Sequence, residues 1–210
     1  MKPLIILSTG RSGTRYTAQV LRQCGLDFGH EQFRPDGLIA WFLAARQERN
    51  MLKLKQYTDP IILHQTRHPL NVIASWCQVF TKKPNYDFGN LSCLFEFRKE
   101  MPPLQKACLF YCKWIQLIHT FDIVYEYQVE YFDEALKDIA NMADFDYQHP
   151  TISPDIGSST PPPVAWKQIE ESLPLLYYPL KAIAQDLGYD QQGDISWHSL
   201  RTNFNLISPN

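Results

Sequence analysis

Leu4-Ile5-Ile6-Leu7-Ser8-Thr9-Gly10-Arg11-Ser12-Gly13-Thr14-Arg15 is the stretch on which the reading of this chain turns. An apolar run enters a glycine-bearing loop, and a helical pattern from Thr14 to Cys24 leaves it. Residues 4–8 therefore read as a strand, 9–13 as a loop and 14–24 as a helix. A strand–loop–helix turn of this kind converges backbone N–H groups at a helix N-terminus, where the peptide dipoles add positive potential. Arg11 and Arg15, with the hydroxyls of Thr9, Ser12 and Thr14, supply charge and further donors. The loop reads as an anion site for a phosphate or sulfate group.

Beyond the loop, Gly25 to Phe28 reads as a short extended piece ending at Gly29-His30-Glu31. Residues 38–56 read as helix, stopped by Asp59-Pro60. Pro60 to Thr66 is a second strand, running into Arg67-His68-Pro69 and then a helix from Leu70 to Val79, with proline favourably placed in its first turn. Residues 81–90 read as loop, 104–119 as helix, 121–127 as a third strand centred on Asp122 to Tyr125, and 131–142 as amphipathic helix. The proline-rich stretch 146–164 is irregular, and a final helix spans 173–187 before Gly188. Strands alternating with helices predict a three-layer α/β/α fold with a central parallel sheet, P-loop NTPase-like. Ligands would then bind at the carboxyl ends of the strands.

The chain has 210 residues, which suits a single domain spanning 1–210 with a sizeable core. Its formal net charge of −2 argues against non-specific nucleic-acid binding, which needs a basic excess. The apolar run after Lys2 is too short for a signal peptide, and nothing reaches membrane-spanning length. The five cysteines include no zinc-type CxxC pair and read as reduced thiols, so a cytoplasmic location is expected. Cys108 and Cys112 share a helix face, where packing into the core outweighs a metal pair.

The loop departs from the nucleotide-phosphate motif GxxxxGK[ST]: with Gly13 as the second glycine, Thr14 stands where the lysine belongs and Ser8 where the first glycine belongs. A kinase or ATPase would also carry a magnesium-holding carboxylate at a strand end, yet the strand 61–66 ends in Thr66-Arg67; Glu126 is a weak candidate. A sulfuryl group in transfer carries less negative charge than a phosphoryl group. Arginines and backbone N–H donors can stabilise it without a metal. A second constellation supports this. Arg67-His68-Pro69, with Ser75 in the helix that follows, places a guanidinium at a strand end and a hydroxyl two turns on, able to face one phosphate.

In these motifs the chain resembles sulfotransferases that use 3′-phosphoadenosine 5′-phosphosulfate (PAPS), and most of all their bacterial-type and tyrosylprotein-type branch. The resemblance covers residues 4–32 and 61–76, and more loosely 104–142. It implies that Gly10, Arg11, Ser12, Gly13, Thr14 and Arg15 hold the 5′-phosphosulfate, with Arg11 stabilising charge on the departing phosphate oxygen. It implies that Arg67 and Ser75 hold the 3′-phosphate. Glu31 matches the glutamate that this branch carries after its first helix and is the preferred base for a hydroxyl acceptor, with His30 as the competing base. The expected reaction is metal-free, in-line transfer of a sulfuryl group to a hydroxyl or amine of a small molecule, glycan or peptide. The far end departs from the family: in place of an Arg-Lys-Gly loop the chain has Gly157-Ser158-Ser159-Thr160 and Trp166-Lys167, with Ser159 or Lys167 as substitutes. A P-loop nucleotide or small-molecule kinase and a non-catalytic nucleotide-binding relative are the alternatives. His64 alternates with apolar neighbours and reads as a satisfied core histidine; His119 and His149 have no partner at ligand spacing.

Overall fold

The computed structural model describes residues 1–84, 86, 97–98, 100–149, 151–152 and 160–189. They fall into two compact units, one drawn from Met1–Arg67 and Trp114–Thr160, the other from His68–Asp87, Phe95–Lys113 and Pro161 onward.

The first unit holds the sheet. Its strands are β1 (Leu4–Ser8), β2 (Gly29–His30), β3 (Gly37–Ala40), β4 (Ile61–Thr66) and β5 (Tyr125–Gln128), in the order β2-β3-β1-β4-β5. All four pairings are parallel. On one face, Leu4, Ile6, Ile39, Leu63 and Tyr127 pack into a core with Ala18, Val20 and Leu21 of α1 (Thr14–Gln23) and Leu136 and Ile139 of α5 (Phe132–Ala143). Both helices owe this to one apolar stripe each, the period of an amphipathic helix. Side chains of opposite parity, Ile5, Leu7, Ala40 and His64, are equally buried on the other face. Trp114, Ile115 and Ile118, at the end of α4 (Pro103–Ile118), are buried too. The Trp114 indole donates to the Trp41 carbonyl (3.0 Å), and His119, just past the helix, meets the His64 ring edge-on. Sheet, α1–α5 layer and α4-end layer make this unit a three-layer α/β/α structure.

The second unit is helical, with α3 (Pro69–Lys82), residues 103–113 of α4, α6 (Trp166–Ser172) and α7 (Pro174–Asp186). Aromatic packing holds it: Trp76 lies 4.3 Å from Phe110 and 5.6 Å from Phe80, centroid to centroid. Pro69 opens α3, and the His68 ring accepts from the Leu70 N–H as its cap. No helix among the described residues is long and apolar enough to cross a membrane.

Three sequence expectations are corrected. The helix expected over 38–56 is instead strand β3, a 3-10 turn at Phe42–Ala45 and a short α2 (Glu48–Leu54). Leu38, Ile39 and Ala40 are buried on both faces of the sheet, and a fully buried strand shows no alternation to distinguish it from helix. Gly37 lets this strand form: a Cβ there would lie 1.9 Å from the Leu4 carbonyl oxygen, and its φ of 123° is closed to most side chains. The third strand runs over Tyr125–Gln128, displaced toward the C-terminus from Asp122 to Tyr125, and α6 was not expected as a helix. Most of the loop expected over 81–90 lies outside the described residues, although Thr81 and Lys82 extend α3.

Candidate functional site

The loop between β1 and α1 lies at the carboxyl end of the central strand. Arg11 (φ 75°) and Gly13 (φ 80°) adopt left-handed backbone, separated by Ser12. Left-handed residues in a turn help its N–H groups converge, as in anion-binding concavities. A positive φ at a non-glycine residue is strained, so the surrounding structure must hold Arg11 there. Gly13 has no alternative: besides its φ, a Cβ would meet Val129 Cγ2 at 3.0 Å.

The loop is held from below by a buried side chain of β4. Gln65 Nε2 donates to the Ser12 carbonyl (2.5 Å), while Gln65 Oε1 accepts from Thr17 Oγ1 (2.5 Å) and Tyr127 OH (2.9 Å). One amide thus joins the loop, α1 and β5. Thr9 and Ser12 share a hydrogen bond between their hydroxyls, both buried. Burial pushes the Tyr127 phenol well above its ordinary range, so it stays a donor. Gln65, which braces the loop, escapes sequence reasoning; a polar residue inside an apolar strand, two before Arg67, is the one signal the sequence carries.

Arg67 follows β4 directly, and one of its N–H groups donates to the Arg11 carbonyl (3.2 Å). A guanidinium has five donors, so this bond orients the group and leaves capacity for an anion. Arg11 and Arg15 are exposed. Thr14 and His30 meet as well: Thr14 Oγ1 and His30 Nε2 are 2.9 Å apart, which puts the end of β2 at the mouth of the loop. Burial pulls the His30 imidazole below its ordinary 6.5; Glu31 pushes it back up, and Arg15 and Arg22 push it down. Glu31 is exposed at φ 57°, its N–H bonded to the Ile39 carbonyl, and its carboxylate makes no hydrogen bond or ion pair among the described residues. Ser75 is buried on α3 in the second unit. Lys167 is exposed on α6 and paired with Glu171 (3.8 Å), while Ser159 lies outside the described residues.

A second polar cluster lies on the other sheet face. His64 and Glu126 are register partners on β4 and β5, with His64 Nδ1 donating to Glu126 Oε2 (2.5 Å) and His119 Nε2 3.6 Å from the same oxygen. Burial alone would raise the Glu126 carboxyl, but hydrogen bonds and charge from His119 and His64 outweigh it and hold it at about 2. Burial pulls His64 the other way, below its ordinary value, so at neutral pH its N–H donates from an uncharged ring.

No family model matches the chain. No curated protein matches it either. Among solved structures, it is similar to a sulfotransferase domain from the curacin biosynthetic pathway, at 10% identity over 70% of this chain and 75% of that one, with a TM-score of 0.45.

Proposed function

We propose that this chain transfers a sulfuryl group from PAPS to a hydroxyl or amine acceptor. The observation that carries the reading is the loop itself. It is a β1–loop–α1 turn with left-handed Arg11 and Gly13, an arginine from the next strand bonded to its backbone, and threonine where a phosphate-binding lysine would stand. Such a site offers backbone donors and delocalised cations to a group of low charge. The residues present suit an anionic donor: left-handed Arg11 and Gly13 turn the loop backbone, and Arg11, Arg15 and Arg67 supply cations.

In the proposed reaction the acceptor oxygen attacks sulfur in line, and the bond from sulfur to the bridging phosphate oxygen breaks. The products are a sulfate ester and 3′-phosphoadenosine 5′-phosphate. Ser12, Gly13 and Thr14 hold the 5′-phosphate, and Arg11 stabilises the charge growing on the leaving oxygen. Arg67 takes the 3′-phosphate; the assignment of Ser75 beside it rests on the family resemblance alone. Glu31 accepts the acceptor's proton. A second reading gives that task to His30, which burial keeps neutral and which already contacts Thr14.

A thermal-shift titration with 3′-phosphoadenosine 5′-phosphate, against ATP with magnesium, tests the proposal. Bound ligand stabilises by mass action, so the adenosine bisphosphate raises the melting temperature and Arg67→Ala abolishes the rise. A rise with ATP–magnesium alone overturns the reading in favour of a kinase. Transfer of a radiolabelled sulfuryl group across an acceptor panel tests turnover. Glu31→Ala binds nucleotide and loses transfer; full activity there with none in His30→Ala moves the base to His30. Nucleotide binding without transfer to any acceptor makes the chain a non-catalytic binder.

A further inference from the structure

The cluster on the far face of the sheet takes no part in the reaction above. His64 is fully buried in a strand that otherwise begins Ile61-Ile62-Leu63, and its Nε2 has no hydrogen-bond partner among the described residues. An aliphatic residue would fill this place without burying an unused polar atom. The ring is therefore not explained as core filler. What its other nitrogen faces is more informative. His64, Glu126 and His119 each offer a ligand atom, and these atoms all lie within 4.8 Å of one another.

We infer that His64, His119 and Glu126 form a binding site for a divalent transition metal, zinc foremost. Two imidazoles and one carboxylate are the borderline donors that Zn²⁺ accepts, whereas Mg²⁺ and Ca²⁺ prefer oxygen throughout. Accessibility is graded across the three: the His64 side chain is 0% exposed, His119 16% and Glu126 34%. The ion enters beside β5, an edge strand of the sheet, and solvent supplies a fourth ligand. On binding, metal–nitrogen and metal–oxygen bonds replace the hydrogen bond between His64 and Glu126; the neutral His64 ring changes tautomer, giving up its Nδ1 proton and taking one on Nε2, so this ring ligates as neutral imidazole with no net proton released. The three ligands come from β4, β5 and the turn after α4, so the ion pins the end of α4 to the sheet edge. Its role is structural.

The test uses the full chain stripped with chelator, then titrated with Zn²⁺ by calorimetry and by thermal shift. We expect one ion per chain and, at a hundredfold excess over Kd, a melting-temperature rise of about 5–10 °C. Mg²⁺ at the same concentration gives none. His119→Ala and Glu126→Gln, both at partly exposed positions, lose affinity beyond the roughly 10–100-fold of a disturbed outer-shell contact. Undiminished binding in both variants, or no saturable binding in the parent chain, overturns the inference. Co²⁺ substitution in the unaltered chain needs no variant: weak d–d bands without a thiolate charge-transfer band support the nitrogen–oxygen site. A thiolate band places the metal on cysteine and refutes it.

Discussion

Replacing Gln65 with leucine tests the physical basis of the loop most directly. The amide serves three groups: the Ser12 carbonyl, the Thr17 hydroxyl and the Tyr127 hydroxyl. Leucine matches much of its volume and serves none of them. A buried polar group without a partner costs about 1–3 kcal/mol. The two hydroxyls previously shared one acceptor, so they can recover a single bond between themselves, leaving two orphaned groups. The expected loss is about 2–6 kcal/mol, a fall in melting temperature of roughly 4–24 °C for a chain of this length. Urea unfolding followed by circular dichroism reads it. Adding both Thr17→Val and Tyr127→Phe should return part of the loss, because removing every partner of a hydrogen bond costs less than removing one; comparison of the triple variant with its parents isolates that coupling. The loss of the Ser12 tether should also shrink the thermal shift with 3′-phosphoadenosine 5′-phosphate. Gln65→Leu within about 1 kcal/mol of the parent chain would refute the reasoning, since the amide would then not be the buried hub described.

Gly13→Ala forces a side chain into left-handed backbone and against Val129 at 3.0 Å. It should cost about 1–3 kcal/mol and abolish the nucleotide-induced shift, and Gly13→Ala with Val129→Ala should recover only the steric part. Unchanged nucleotide binding in Gly13→Ala would disconnect the loop from the ligand. The pH dependence of stability follows from His30 and His64, both held below their ordinary 6.5 by burial. Below that pH the unfolded chain binds more protons than the folded one, so in metal-free protein stability falls as pH drops from 6.5 toward the folded-state values, by up to about 1.4 kcal/mol per pH unit for each ring. Denaturation midpoints at pH 7 and below 6 check the sign; a gain on acidification contradicts it.

Much of this protein is legible in the chain because the relevant physics is local. Leu4 to Ser8 is a continuous apolar strand, Gly13 marks the left-handed turn, and the stripe of α1 follows at helical period. The α/β class and the turn between β1 and α1 need nothing beyond those neighbours. The helix that the sequence predicts over 38–56 gives way to strand at residues 38–40 for a physical reason. A strand covered on both faces has the same apolar signature as a buried helix, and only pairing with β1 at Leu4↔Gly37 decides it. The closed left-handed loop depends on Gln65, more than 50 residues away, and that distance in sequence hides its amide from any motif. His64 looked like a satisfied core histidine. Register across β4 and β5 gave it Glu126, and the turn after α4 gave it His119. By itself the sequence determined the strand–loop–helix turn at residues 4–23 and its left-handed glycine, because backbone turns and helix starts are built from consecutive residues. Tertiary structure alone decided what braces that loop and which titratable groups converge behind it, because hydrogen bonds and ligand geometry act through space between distant segments.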